Sequence, residues 1–391
     1  MTLLWLLPAG LACLWAGVFA AFARPLAARW REPVLKHPVL AIESDDWGAG
    51  PPAQADRLAR LAACLQRVQD AAGRPAVMTL GVVMEVPDGA SIAADGGARY
   101  HGLTLADPRF AEIRAALQAG IDAGVFVPQL HGQCHYWPDT VMAVAARDPA
   151  VRDWLVSPAP ARTEALPSPL QSRWVDAASL PSKPLADAAI RQAAAAEAET
   201  FRALFGAPPL VAVATTFVWN DAVEAAWRAA GVEAVIAPGR RATCRDAQGR
   251  PGCVDRTMLS GEVSSAAQVY LVRDVYFEPA LGHAPQRLAD GVAERARQGR
   301  ACLAETHRFN FLDAPEASLA TLEAGLNAAR ARCADLRFLS PHELARAIRS
   351  KDPDWIDTRF GARVRAWRAR LAEIPRFARA ARLTGLGWVL A

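Results

Sequence analysis

The sequence is short of the signals that mark several common protein classes. No Gly-x-Gly-x-x-Gly follows its first apolar strand, which argues against a doubly wound dinucleotide-binding fold. No segment recurs at a fixed period, so solenoids and propellers are excluded. Charged residues make up only 21% of the 391 residues against 52% hydrophobic residues, and this balance excludes global disorder. With 26 Gly and 28 Pro, the chain is neither collagen-like nor of low complexity.

The seven cysteines are dispersed, and no two of them form a Cys-x-x-Cys pair. An odd and scattered set favours a reducing compartment over a disulfide framework. Cys244 and Cys253 are the exception, because they flank the turn-like segment 246–252 and could pair across a hairpin in a periplasmic domain. The sequence leaves both alternatives open.

Positive charge is concentrated at the C-terminus. Residues 359–391 hold eight Arg and one Glu, a local charge of +7, whereas the whole chain carries +4. The remaining residues therefore carry a net charge of −3. A generally basic surface for nucleic acid is not indicated, and no nucleic-acid partner is predicted.

The N-terminal residues 1–23 contain no charged side chain and are rich in Leu, Ala, Trp, Val and Phe. A helix of this length can span the hydrocarbon of a bilayer, so we predict a transmembrane anchor. The juxtamembrane linker 24–36 contains four basic residues, Arg24, Arg29, Arg31 and Lys36. The positive-inside rule then places the globular part on the cytoplasmic side. The alternatives are a cleaved signal peptide, which would place it in the periplasm, and an apolar helix docked on the core.

The segment 351–391 is predicted to be a basic amphipathic tail that associates with membrane lipid. Its apolar residues recur at helical spacing on one face, and arginines occupy the other faces; the apolar set is Phe360, Val364, Trp367, Leu371 and Ile374. An arginine-rich helix with Trp at the apolar boundary is typical of an interfacial helix on anionic lipid. A surface helix that covers the last part of the core fits the same pattern.

The body, residues 37–350, alternates short apolar strands with helices of 10–20 residues. Eight strands are predicted at 39–43, 76–84, 125–130, 210–215, 234–237, 269–272, 301–305 and 336–339. Such alternation is typical of an α/β fold with parallel strands. We therefore predict a distorted (β/α) barrel of seven or eight parallel strands, with its chemistry at the C-terminal ends of the strands.

Acids and histidines follow three of these strands. The first ends in Glu43-Ser44-Asp45-Asp46, the third is followed by His131-x-x-x-His135, and a late strand is followed by His307. One carboxylate and two imidazoles form a three-ligand metal site that leaves positions open for water and substrate. The barrel mouth would gather all of these side chains.

The spacing indicates how these side chains reach a metal. His131 and His135, four residues apart, are expected on one side of a helical turn. Side chains alternate along a regular strand, so Asp45 and Asp46 can both reach the site only at a bend. One of them would bind the metal while the other takes a proton from the water. His307, from across the barrel, would protonate the leaving group.

The order of these motifs resembles that of the polysaccharide deacetylase superfamily over residues 37–345. The residues on which the resemblance rests are Asp45-Asp46 with Gly48 shortly after, His131-x-x-x-His135 and the late His307. The resemblance implies a distorted parallel barrel that uses one divalent metal, usually Zn²⁺, to remove N- or O-acetyl groups from sugars. It implies Asp45 as general base, His307 as general acid, and Asp46, His131 and His135 as metal ligands. The segments 42–48, 277–279 and 306–311 are similar to a divergent bacterial branch linked to surface-glycan assembly.

Two positions and one motif depart from the pattern of the superfamily. Gly132 stands where Ser or Thr usually follows the first metal histidine, and Trp47 stands between the second Asp and Gly48. The arginine motif that holds the catalytic base has no clear match. Arg273 or Arg308 could substitute for it.

The sequence therefore predicts a metal-dependent deacetylase, single-pass in a bacterial inner membrane, that acts on an acetylated amino sugar or a lipid-linked glycan. Six residues beside the motifs are predicted to contact substrate: Trp47, Trp137, Trp219, Glu278, Arg308 and Asn310. One alternative is an inactive barrel that serves as a glycan-binding or scaffold protein. Another is a metal-dependent hydrolase of a different bond, such as a glycosidic or phosphoester bond.

Overall fold

The computed structural model describes residues 3–390, with side chains from Pro8 onward. Its strands are β1 Val39–Gly48, β2 Met78–Val83, β3 Glu85–Pro87, β4 Gly102–Thr104, β5 Phe126–Leu130, β6 Val175–Asp176, β7 Lys183–Pro184, β8 Val211–Val213, β9 Ala234–Ala237, β10 Arg240–Arg245, β11 Pro251–Thr257, β12 Val269–Val272, β13 Val275–Tyr276, β14 Ala301–His307 and β15 Arg337–Phe338. Its α-helices are α1 Leu3–Ala21, α2 Ala23–Arg31, α3 Gln54–Gln66, α4 Gly89–Ala94, α5 Ala111–Asp122, α6 Pro138–Ala145, α7 Pro149–Leu155, α8 Asp187–Phe205, α9 Asp221–Ala229, α10 Pro285–Arg297, α11 Arg308–Asp313, α12 Pro315–Arg332, α13 Pro341–Ser350, α14 Phe360–Arg370, α15 Pro375–Leu383 and α16 Leu386–Leu390.

One parallel sheet organises the body. Eight strands form a curled half-barrel in the order β12-β9-β8-β5-β2-β1-β14-β13, and β15 adds a short parallel pairing to β1. All eight strands predicted from the apolar runs belong to this sheet, and β13 is an addition. The α/β class and the parallel arrangement are therefore confirmed.

The two ends of the sheet approach each other at a two-residue link, Arg273–Asp274, which we call the seam. The seam joins β12, which pairs with β9, to β13, which pairs with β14. The Arg273 N–H donates to the Ala237 carbonyl at 2.9 Å, and the Asp274 N–H donates to the Leu303 carbonyl at 3.2 Å. Backbone hydrogen bonds of the seam thus reach β9 and β14, the strands next to the two edges of the half-barrel.

The interior face of β1 changes character along the strand. Side chains alternate across a strand, so Val39, Ala41, Glu43 and Asp45 share one face. Val39 and Ala41 belong to an apolar cluster with residues of β8, β9, β12, β14 and α13. Glu43 and Asp45 follow them and are buried. The interior is therefore apolar at its lower end and charged toward the C-terminal mouth.

The terminal helices form a layer beside the barrel. Leu26 of α2 clusters with Leu371, Phe377 and Leu386 from the C-terminal segment. The indole N–H of Trp367 donates to the Leu26 carbonyl at 3.0 Å. The tail is therefore helical, and part of its apolar face packs on α1 and α2.

Among the described residues, one bent pair of helices is a candidate membrane-spanning segment. No single helix among them is long and apolar enough to cross a bilayer. The pair Pro8–Ala21 and Ala23–Arg31, bent by 68°, passes by length and composition.

The hairpin β10–β11 contains a disulfide bond between Cys244 and Cys253, whose Cα atoms lie 5.7 Å apart. Of the two alternatives that the sequence leaves open for these cysteines, the structure has the pairing across the hairpin. The strands bring the two cysteines close to each other because β10 and β11 pair antiparallel, with Cys244 opposite Gly252. The remaining cysteines of the described residues are free.

Candidate active site

A cavity of about 230 Å³ opens at the C-terminal ends of the parallel strands. Its lining includes all five residues to which the sequence gave a catalytic or metal-binding role: Asp45, Asp46, His131, His135 and His307. Acid and imidazole groups separated by up to 262 positions in the chain therefore share one small chamber.

A bend in β1 lets two consecutive carboxylates reach this cavity. The register between β1 and β2 shifts between Ser44 and Trp47, and Asp46 adopts a left-handed φ of 75°. Without the shift, side-chain alternation would turn one of the two acids away. Asp45 and Asp46 both line the cavity, as the argument from alternation requires.

The three predicted metal ligands lie side by side. Asp46 Oδ1 is 3.2 Å from His135 Nε2 and 3.4 Å from His131 Nε2. His131 Nδ1 lies 3.1 Å from the Val213 carbonyl. Because a carbonyl only accepts, Nδ1 carries the proton and donates it, which leaves the Nε2 lone pair free to bind a metal.

The histidine pair reaches its place by a loop rather than a helix. Residues 131–137 have no helical turn, and Gly132 adopts a φ of 106° that favours glycine. The prediction of a helical turn is therefore wrong. The two imidazole rings nevertheless converge, with centroids 4.9 Å apart.

The geometry and charge of this group fit a divalent metal. Zinc bonds of about 2.0–2.2 Å at tetrahedral angles place neighbouring ligand atoms roughly 3.3–3.6 Å apart, and the two separations of 3.4 and 3.2 Å lie within or just below this range. Asp46 Oδ1 is buried and accepts no hydrogen bond. Among the described residues, five carboxylates lie around the ligands with one arginine, Arg273, beside them, and they are Glu43, Asp45, Asp46, Glu278 and Glu305. A sixth carboxylate, Glu164, is paired with Arg308. A dication would offset this excess of negative charge.

Arg273 holds the predicted base. Its guanidinium donates to both oxygens of Asp45, at 2.6 and 3.0 Å, and to Glu43 at 3.1 Å. Burial alone would raise the pKa of Asp45, but the positive charge of Arg273 lowers it to about 2. Arg273 enters from the seam and thus takes the place of the arginine for which the sequence shows no motif. Arg308, the other substitute considered, pairs with Glu164 instead.

Glu278 holds the predicted acid. Its carboxylate lies 2.5 Å from His307 Nδ1 and accepts hydrogen bonds from Thr306 Oγ1 and Asn310 Nδ2. Burial lowers the pKa of His307, but the hydrogen bond to Glu278 outweighs it, and the pKa rises to about 10. His307 therefore carries its second proton on Nε2 at neutral pH.

Most of the residues predicted to contact substrate lie elsewhere. Trp47 and Trp219 are fully buried, where their indole N–H groups donate to Ser44 Oγ and to Glu224. The prediction that these two rings face the substrate is wrong, because both pack in the core beneath the site. Trp137 lies outside the cavity lining and beside Arg173.

The three polar residues of the same set lie behind the residues that line the cavity. Glu278 and Asn310 are completely buried and form the support of His307, and Arg308 is buried against Glu164. A substrate cannot reach Glu278 or Asn310 in this arrangement. Their predicted role as direct substrate contacts is corrected to support of the site.

Sequence patterns did not identify several residues that line the cavity. Glu164 and Gln171 reach it from the Pro/Ser-rich loop 157–184, and Phe217, Tyr276 and Phe309 add aromatic rings. Tyr276 and Phe309 are close in sequence to the Glu278 and His307 motifs, which is the one signal that could have indicated them. The loop and Phe217 carry no such signal.

Gly81 of β2 is a further unrecognised part of the site. A Cβ atom at this position would overlap Asp45 Oδ1. The absence of a side chain at Gly81 therefore leaves the space in which the Asp45 carboxylate meets Arg273.

No protein-family model matches the chain, and no curated protein sequence matches it. Among solved structures, it is similar to a family 4 carbohydrate esterase from Streptomyces lividans in complex with acetate, at 10% identity and a TM-score of 0.37 over 78% of this chain and 95% of that chain. It is also similar to a protein assigned as a polysaccharide deacetylase from Mycobacterium smegmatis, at 12% identity and a TM-score of 0.39 over 80% and 90% of the two chains. A 4-alpha-glucanotransferase from Thermococcus litoralis matches at 10% identity and a TM-score of 0.36, over 82% of this chain and 41% of that one. All three likenesses are distant.

Proposed function

We propose that the protein is a metal-dependent deacetylase that removes an acetyl group from an amino sugar or a related surface-glycan intermediate. One observation carries the proposal: the candidate ligands Asp46, His131 and His135 share a small cavity with an arginine-held Asp45 and a glutamate-held His307. A metal site, a base and an acid are the three parts that hydrolysis of an acyl bond needs.

Asp46, His131 and His135 would hold the ion. A divalent ion such as Zn²⁺ lowers the pKa of a coordinated water toward about 7 and polarises an acyl carbonyl. The protein fixes the ligands through the Val213 carbonyl on His131 and through the bend that turns Asp46 into the cavity.

Asp45 and His307 divide the proton transfers between them. Asp45 stays ionised beside Arg273, so it accepts the proton of the attacking water. His307 stays protonated beside Glu278, so its Nε2–H donates to the departing nitrogen or oxygen. Arg273 and Glu278 keep the two groups in opposite protonation states within one cavity.

The cavity wall supports a sugar as the acyl carrier. Phe217, Tyr276 and Phe309 offer ring faces against which a pyranose can pack, and Glu164 and Gln171 offer polar groups for its hydroxyls. A volume of about 230 Å³ suits one sugar unit with its acetyl group rather than a long chain segment.

A phosphoester substrate is disfavoured because the residues that could hold a second metal already have side-chain partners. Asp45, Glu305 and His307 could together hold a second metal, as two-metal phosphoesterases require. Arg273 already contacts Asp45 and Glu305, and Glu278 contacts His307. The guanidinium takes the place that a second cation would need.

We further propose that the chain works at a bacterial inner membrane on a membrane-proximal or lipid-linked glycan. Leu383 and Trp388 of the terminal layer are 79% and 90% exposed, and arginines lie among them, a pattern that suits anionic lipid. The charge of residues 24–36 favours a cytoplasmic body, whereas the Cys244–Cys253 disulfide favours the periplasm. We give the disulfide more weight, and a compartment-specific reporter fused at the C-terminus decides between the two sides.

The test of the reaction is acetate release from N- and O-acetylated amino-sugar oligomers by the detergent-purified full chain. Asp45→Asn should keep its metal and lose turnover, because the amide cannot accept the proton. Asp56→Asn, an exposed acid outside the cavity lining, is the matched control. Turnover that survives in Asp45→Asn removes Asp45 as the base, and no acetate release from any acetylated sugar by the metal-loaded wild type contradicts the deacetylase.

A further inference from the structure

A second and larger cavity lies outside the half-barrel, between the terminal layer and the seam. Its volume is about 920 Å³. Its walls come from α2, the ends of the β10–β11 hairpin, the seam and the segment 373–376. Among the described residues, it shares no lining side chain with the catalytic cavity. Arg273 of the seam lines it and also holds Asp45, whereas the other residues of the proposed mechanism lie outside its lining.

The inner wall of this cavity is already neutralised. Arg300 lies 2.6 Å from both Glu32 and Glu373, and Arg295 lies 2.7 Å from Asp274. These pairs tie α2 and the tail to the barrel. Because each charge has its partner, the inner wall does not itself attract a charged ligand.

Two rim arginines behave differently. Arg240 at the start of β10 and Arg376 in the first turn of α15 both line the cavity and are exposed. Within residues 3–390, neither has a carboxylate within 4.0 Å, although most arginines around them do. Glu262 is the one rim acid, and it accepts the Leu259 N–H. The rim therefore carries unpaired positive charge of the kind that binds phosphate oxygens in pairs.

Much of the remaining lining is apolar, although Thr257 and Ser260 also belong to it. The apolar part includes Phe22, Pro25, Met258, Leu259, Ile374 and Pro375. Phe22 stands directly after α1, the apolar helix predicted to enter the membrane. An inorganic anion would leave this apolar surface uncovered, whereas the first carbons of a lipid chain would cover it.

We propose that this cavity binds a membrane lipid with an anionic phosphate headgroup, held by Arg240 and Arg376, with the start of its chains against Phe22 and Ile374. The cavity thus selects an amphiphile by two chemistries at once, charge at the rim and apolar contact below it. The lipid contacts proposed here do not use Arg273, so the site does not depend on the proposed deacetylation and would exist in a catalytically inactive chain.

Native mass spectrometry of the full chain in neutral maltoside micelles tests the site. The probes are dioleoyl phosphatidic acid and dioleoyl phosphatidylcholine, with inorganic phosphate as competitor. Wild type should retain one phosphatidic acid in preference to phosphatidylcholine, and millimolar phosphate should not displace it. The double variant Arg240→Gln/Arg376→Gln should bind phosphatidic acid at least about tenfold more weakly, since it loses the charge-assisted hydrogen bonds.

Matched controls separate the cavity from general charge. Arg191→Gln/Arg379→Gln removes the same charge from exposed positions outside the cavity and should bind as wild type does. Ala28→Trp, which fills the cavity without changing charge, should also lose the lipid, whereas Ala23→Trp on the same helix should not. Equal retention of the two lipids, displacement by inorganic phosphate, or equal losses in the rim and control variants each overturns the proposal.

Discussion

Arg273 and Asp45, 228 residues apart in the chain, form a two-bonded ion pair at the seam of the half-barrel, with distances of 2.6 and 3.0 Å. Both side chains are almost completely buried. The arginine also contacts Glu43 and Glu305, so one cation organises three acids. The position and charge of the proposed base therefore depend on where the two ends of the sheet meet.

Replacement of that arginine should disable the base and leave the metal in place. In Arg273→Gln, kcat should fall about 10²-fold or more, the typical contribution of a positioned general base. Three buried carboxylates would lose their cation, so the free energy of unfolding should fall by about 3–5 kcal/mol. Acetate release, metal content and thermal unfolding measure the three effects. Arg191→Gln, an exposed arginine, is the control, and wild-type turnover in Arg273→Gln would contradict this role.

The protonation of His307 can be followed by NMR in the metal-free protein. Its folded-state pKa of about 10 lies above the ordinary value of 6.5, so the protonated ring stabilises the fold. This stabilisation is fully present below pH 6.5 and is lost as the pH rises through 10. Glu278→Gln should move the pKa of His307 back toward 6.5, whereas Glu199→Gln on an exposed helix face should leave it unchanged. A pKa near 6.5 in the wild type would show that Glu278 does not hold the charge.

The position of the Asp45 carboxylate requires a residue without a side chain at position 81. Gly81→Ala places a Cβ where Asp45 Oδ1 lies, so the carboxylate must leave Arg273 or β2 must shift. Turnover should fall about 10²-fold, the scale of a general-base contribution, while Asp46, His131 and His135 keep their metal. Gly361→Ala, in a helix where the new Cβ would meet only the end of the Arg365 side chain at 3.7 Å, should be neutral. Equal activity of both variants would mean that Asp45 tolerates displacement.

The hairpin disulfide is open to a direct chemical test. Non-reducing peptide mapping of the purified chain should recover Cys244 and Cys253 on one linked peptide. Their replacement by alanine should lower stability by about 2–3 kcal/mol, the chain-entropy scale for so short a loop. Cys13→Ser, an exposed free cysteine, should have no such effect. Two free thiols in protein isolated under conditions that block exchange would contradict the bond and restore the cytoplasmic placement.

The sequence predicted the strands and the five central residues because their signals are local. An apolar run followed by Asp45-Asp46 or by His307 marks a strand end, and parallel strand ends meet at one mouth. The bend at Asp46 also followed from side-chain alternation alone. These inferences needed no knowledge of contacts between distant segments.

The supports of the site could not be predicted in the same way. Arg273 looks like any arginine after a strand, and only the meeting of β12 and β13 at the seam brings it to Asp45. Trp47 follows the motif directly but turns into the core, since the same bend that directs Asp46 into the cavity buries the next ring. Gly81 has no side chain to notice. Each of these depends on tertiary packing, which the local pattern does not encode.

Metal analysis of the purified full chain tests the central claim most directly. We expect about one equivalent of zinc or another divalent transition metal in the wild type. His131→Ala/His135→Ala should lose it, whereas His101→Ala/His342→Ala, which removes two histidines outside the cavity, should keep it. No metal in the wild type after reconstitution, or equal metal in both double variants, would contradict the metal site and the hydrolytic mechanism built on it.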